Sequence, residues 1–105
     1  MIAITDKEKT IIETIISEYA PDFDVLVFGS RYSHTQKNHS DIDLAFIGQI
    51  KMDFKTRVRL ENAFEESDLP YFVDVVDYLS VSGDFRKIID NGSEYLFKNR
   101  NPNNP

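Results

Sequence analysis

The chain has 105 residues, 41% of them hydrophobic and 29% charged, with 18 acids against 12 bases and a formal net charge of −6. That is enough for one domain with one core, too apolar for a disordered chain, and without an apolar run long enough to span a membrane. No cysteine is present, which excludes disulfides and thiolate chemistry, and the acidic balance argues against direct nucleic-acid binding.

The first ten residues carry an early acid and no long apolar stretch, so no secretion signal is read and a cytoplasmic location is expected. Thr5 and Glu8 fit a capping box that opens a helix. Ile11, Ile12, Ile15, Ile16 and Tyr19 follow at helical spacing, and Pro21 ends the helix. Residues 25–28, VLVF, are a short β-branched run that reads as a strand buried on both faces, closed by Gly29-Ser30. Residues 31–40 are polar and read as a loop or a ragged first helical turn. Residues 40–47 alternate as a strand, with Asp41 and Asp43 on one face and Ile42, Leu44 and Phe46 on the other.

Residues 53–66 read as a helix with Phe54, Val58, Leu60, Ala63 and Phe64 inward, closed by Pro70. Residues 71–78 form a third strand by composition. Alternation places Phe72, Asp74, Val76 and Tyr78 on one face and Val73, Val75 and Asp77 on the other. Ser82 caps a short helix through Phe85, Ile88 and Ile89, which ends at Gly92. Residues 93–100 add a turn of helix or an extended piece, and 101–105 read as a disordered tail. The expected architecture is one domain over residues 1–100, of order α-β-β-α-β-α. It is a small mixed α/β (α+β) sheet with helices packed on one side.

The chemistry lies in Gly29-Ser30, Asp41-Ile42-Asp43 and Asp74. A strand running straight into Gly-Ser exposes backbone amides where a phosphate can approach, and Ser adds a hydroxyl donor. Two Asp at i and i+2 on one strand face repel, and each raises the other's pKa. Hard divalent cations with oxygen preference, Mg²⁺ above all, remove that penalty. A third Asp on a neighbouring strand completes a site for two metals, the arrangement used by in-line phosphoryl-type displacement. Residues 25–40 contain Arg31 and Lys37 and no acid, a local anion-receptive patch on an acidic chain. His34 and His39, five apart in a polar loop without Cys, do not read as metal ligands. Asp77, facing away from Asp74, reads as structural or surface.

The sequence GSR, nine intervening residues, DID, and a later VDVVD resembles the DNA polymerase β-like nucleotidyltransferase superfamily, and within it the minimal MNT-type domains. The resemblance covers roughly residues 10 to 95. It implies Asp41, Asp43 and Asp74 as catalytic metal ligands for two Mg²⁺ ions, with Asp74 helping to deprotonate the acceptor hydroxyl. It implies Gly29 and Ser30 as the cradle of the β/γ-phosphates, with Arg31 touching phosphate. It further implies transfer of a nucleoside monophosphate, AMP from ATP, with release of pyrophosphate. Where minimal domains usually carry small residues after Gly-Ser-Arg, this chain reads Tyr32-Ser33-His34, a bulkier loop that narrows the phosphate channel or stacks Tyr32 on a base.

So short a chain has no room for an acceptor-recognition domain, so a partner protein is expected to supply that function. The resemblance implies a small all-helical HEPN-type protein, modified on a Tyr hydroxyl in a toxin–antitoxin pair, with a hetero-oligomer or a homodimer as the assembly. The alternatives are a catalytically silent module that neutralises a partner by docking, and a stand-alone transferase acting on a small molecule.

Overall fold

The computed structural model describes residues 2–37 and 40–99. In chain order the elements are α1 (Asp6–Tyr19), β1 (Asp24–Phe28), α2 (Ser30–Ser33), β2 (Ile42–Ile47), α3 (Phe54–Glu65), β3 (Val73–Asp77), a 3₁₀ turn (Tyr78–Ser80), α4 (Gly83–Asn91) and β4 (Ser93–Phe97). The four strands form one mixed sheet in the order β3-β2-β1-β4. β1 runs antiparallel to both β2 and β4, and β2 runs parallel to β3. A parallel pair needs a crossover, and α3 is that crossover.

The helix starts follow the capping chemistry. The Glu8 amide donates to Thr5 Oγ1, and Glu8 Oε1 accepts from the Thr5 amide, each at 3.1 Å. Asp53 caps α3 through the Thr56 amide, and Ser82 caps α4 through the Phe85 amide. α4 gives way to Gly92 as the spacing predicts.

Strand alternation divides the core in two. Val25, Val27, Ile42, Leu44, Phe46 and Val75 face α1 and α3 and pack with Ile12, Ile16, Leu60 and Phe64. Leu26, Phe28 and Ala45 face the other way and pack with Ile89, flanked by Phe85, Val76 and Tyr78. The expectation of helices on one side is therefore corrected: α1 and α3 cover one face and α4 covers the other. The reason is in β1, whose continuous apolar run buries side chains on both faces and needs a cover for each.

Residues 93–97 resolve as the fourth strand, paired with β1. Without β4, the already buried β1 would be left as a sheet edge. The polar segment after Gly29 contains one short helical turn, α2. One expected inward side chain points out: Phe54 is 79% exposed. At 100° per residue Phe54 lies about 120° around α3 from Leu60, which is buried. The expected tail at 101–105 and His39 fall outside the described residues. Among the described residues no helix is long and apolar enough to cross a membrane.

Candidate active site

Three segments meet at the end of the sheet where β1 leaves and β2 and β3 begin. Phe28 pairs with Asp43, and Asp43 pairs with Asp74 across the parallel ladder. Residues opposite one another on adjacent strands share a face. Asp43 and Asp74 therefore stand side by side on the α4 face, with Asp41 one residue ahead of β2. Asp43 is half-buried, while Asp41 and Asp74 are exposed.

Electrostatics records the crowding. The Asp43 carboxyl is pushed above the usual carboxylate range, first by burial, then by the charges of Asp74 and Asp41, and by a hydrogen bond with Asp74. No fold gains stability from such a cluster without a counter-charge. Its chemistry fits a hard divalent cation, since the donors are all carboxylate oxygens. Among the described residues no three acidic or imidazole groups are already gathered around one point. The pre-formed part is thus the Asp43–Asp74 pair, with Asp41 beside it.

Gly29 is built against this pair. Its φ of +74° and ψ of −151° belong to a region that L side chains rarely adopt. A Cβ at this position would collide with the Asp43 carboxylate. The Gly-Ser turn and the Asp43 carboxylate are therefore in direct van der Waals contact, and any side chain at 29 would part them. Beyond the turn, the Gly29 carbonyl accepts from the Tyr32 and Ser33 amides at 3.1 and 3.0 Å, which sets the single turn of α2. Ser30 is its first residue and is partly exposed. Tyr32 is 37% exposed and leans toward Gly92, where α4 ends.

Arg31, expected near phosphate, makes its contacts within the protein. Its side chain is 6% exposed and lies on the α1/α3 side, over the Tyr71 ring with its Cζ 3.9 Å from the ring centroid. It donates to the carbonyls of Ser40 and Ala3. Its guanidinium donors are thus engaged with backbone carbonyls and its plane with an aromatic ring. The sequence offered no signal for this, because Tyr71 and Ala3 are remote in the chain. Asp77 matches its structural reading: it is 2% exposed, and its Oδ2 accepts from the Met52 amide at 2.9 Å and the Ser80 hydroxyl at 2.6 Å.

Several grooves of the surface lie elsewhere. One of about 420 Å³ runs between α3 and the β3 edge, lined by Glu61, Glu65, Leu69 and Phe72 among others. Its two glutamates have no Gly-Ser turn beside them, so size alone does not mark the chemistry here.

Comparison with known proteins bears on this geometry. Residues 9–102 match the family model for polymerase beta, nucleotidyltransferase. The probable protein adenylyltransferase MntA of Haemophilus influenzae is 46% identical over 86 residues, spanning 82% of this chain and 75% of that protein. Among solved structures, a crystal structure of a toxin–antitoxin with AMP-PNP contains a chain similar at a TM-score of 0.73 and 26% identity, over 91% of this chain and 76% of that one. A mutant of the toxin–antitoxin MntA-HpeT is similar at a TM-score of 0.71 and 26% identity, over 92% and 76%.

Proposed function

We infer the activity from one premise: this chain belongs to the polymerase beta nucleotidyltransferase family. The reaction it performs is transfer of AMP from ATP to a hydroxyl of a partner protein, and its role is that of the antitoxin in a toxin–antitoxin pair. The substrate and setting rest on similarity to the probable protein adenylyltransferase MntA and to a chain from a toxin–antitoxin structure with AMP-PNP. The partner is a small HEPN-type protein, as the sequence resemblance implies. A cytoplasmic site of action accompanies that role.

The observation that carries the reading is the Asp43–Asp74 pair lodged against Gly29. Asp41, Asp43 and Asp74 would hold Mg²⁺, two ions in all, which would supply the positive charge the transferred phosphate needs. Gly29 and Ser30 bind the β/γ-phosphates through backbone and hydroxyl donors. Because the turn touches Asp43, phosphate held there lies beside the carboxylates. Asp74 takes the acceptor proton as the acceptor oxygen bonds to the α-phosphorus. The bond from that phosphorus to the pyrophosphate oxygen breaks, and pyrophosphate leaves. Asp74 sits on an edge strand and is solvent-exposed, so a bulky acceptor can reach it. Phe72, two residues ahead and 73% exposed, offers that acceptor an apolar contact.

The test is incubation of the chain and its partner with α-labelled ATP and Mg²⁺. Label appears on the partner, and Asp43→Asn abolishes it. Neutralisation of the partner that survives Asp41→Asn/Asp43→Asn, with no label transferred by the unsubstituted chain, would mean docking alone.

A further inference from the structure

We propose that Arg31 is a positioning residue that holds Asp41 in register with the Gly29-Ser30 turn from the opposite side of the sheet. The inference rests on the reading of Asp41 as a metal ligand.

Arg31 directly follows the Gly-Ser turn, and its guanidinium reaches the backbone just ahead of Asp41. Nε and Nη2 both donate to the Ser40 carbonyl, at 3.2 and 2.8 Å. The next amide along, that of Ile42, donates to the Phe72 carbonyl at 3.0 Å. Asp41 is thus fixed on both sides: by Arg31 before it and by the start of β3 after it. The same guanidinium lies on the Tyr71 ring, one residue before Phe72 and three before Asp74. Tyr71 is itself anchored, since its hydroxyl donates to Glu8 Oε1 of α1 at 3.1 Å.

One planar cation therefore links the three segments that carry the site: the turn at 29–30, the approach to Asp41 and the approach to Asp74. Nη1 ties this junction to the N-terminal segment through the Ala3 carbonyl at 3.0 Å, and the Ala3 amide returns a bond to the Arg31 carbonyl at 2.9 Å.

The arrangement suits the electrostatic problem. Asp41, Asp43 and Asp74 repel, so the loop before β2 would relax by swinging Asp41 away. A two-pronged bond to one carbonyl resists that swing in a way a single ammonium donor cannot. Side chains that orient metal ligands from behind cost about 10- to 100-fold in metal affinity when lost.

The experiment is Mn²⁺ binding to the full chain, read by electron paramagnetic resonance with a non-hydrolysable ATP analogue present. It is paired with kcat and KM for ATP in the label-transfer assay. The variants are Arg31→Lys and Tyr71→Leu. Lys keeps the charge but not the fork, and Tyr71→Leu removes the ring without touching any group near phosphate. Both are expected to weaken Mn²⁺ binding by about tenfold and to lower kcat, with KM for ATP changed by less than about twofold. A raised KM for ATP with Mn²⁺ affinity unchanged in Arg31→Lys would instead make Arg31 a phosphate ligand. A lowered melting temperature with Mn²⁺ affinity and kcat per folded molecule unchanged would make it a stability residue alone. Either result overturns the proposal while leaving the function above intact. An unsubstituted chain that binds no Mn²⁺ with the analogue overturns both.

Discussion

The two faces of the sheet follow one rule of alternation and end in opposite states. On the α1/α3 face every strand contributes buried aliphatic or aromatic side chains, and a buried acid that points there, Asp77, is given an amide and a hydroxyl to accept from at Oδ2. On the α4 face the core is small, and the strand ends carry Asp43 and Asp74 without a basic partner among the causes that set the Asp43 carboxyl. Asp74 and Asp77 lie three residues apart on one strand, yet one is open beside a like charge and the other is buried, with Oδ2 holding an amide and a hydroxyl and Oδ1 left without a partner. The lesson is that a carboxylate in a strand is not informative by itself. What matters is whether the fold buries it behind its own hydrogen bonds, as it does Asp77, or leaves it open to a ligand.

The largest expected effect separates the faces by chemistry. Asp43→Asn should lower label transfer by about a thousandfold or more, since groups acting as a unit fail together. The metal-free protein should melt at the same temperature or a few degrees higher, because a repelling charge has been removed. Clear destabilisation of the metal-free variant would make Asp43 a structural residue like Asp77, and the contrast would collapse.

Leu60→Ala, on the closed face, should do the reverse. It should cost about 2–5 kcal/mol of stability, read by denaturant unfolding, and leave transfer per folded molecule unchanged. Gly29→Ala sharpens the boundary between turn and carboxylate. Backbone strain at positive φ should cost about 1–3 kcal/mol. The added methyl should also displace the Asp43 carboxylate and weaken nucleotide binding, measured by calorimetry. Asp77→Ala strands the Met52 amide and the Ser80 hydroxyl, so about 1–3 kcal/mol should be lost with metal response retained.

The smallest effect is in pH. The folded-state pKa of Asp43 is raised above its unfolded value of 3.8. Its stabilising contribution is therefore present below that value and lost as pH rises through the folded pKa. The melting temperature of metal-free Asp43→Asn should match the unsubstituted chain near pH 4 and exceed it increasingly toward pH 7. Mg²⁺ should close the gap. A constant offset across that range would contradict a carboxyl raised by burial and by the charges of Asp74 and Asp41.

The pattern of elements was legible because local rules dominate it. Thr5 and Ser82 announce their helices, Pro21 and Pro70 mark two ends, and alternation places Asp41 and Asp43 on one face, whereas Asp74 stands beside Asp43 only through the pairing of β2 with β3. The covering of the second face was legible in principle, since the unbroken apolar run of β1 demands it. β4 was not, because Glu94 and Tyr95 blur its alternation and only pairing with β1 decides its state. Arg31 shows the other limit. Its partners, Ala3, Ser40 and Tyr71, come together only in the folded chain, and no spacing in the sequence records that meeting.

The central claim is that the open end of the α4 face is left unbalanced for a metal–nucleotide ligand. The most direct measurement is the melting temperature with Mg²⁺ and a non-hydrolysable ATP analogue, for the unsubstituted chain and for Asp43→Asn. Ligand at a hundred times its Kd adds about 2.7 kcal/mol of stability to a protein that binds it only when folded. The account predicts a rise of that order in the unsubstituted chain and none in the variant. An equal rise in both, or a rise in neither, would contradict it.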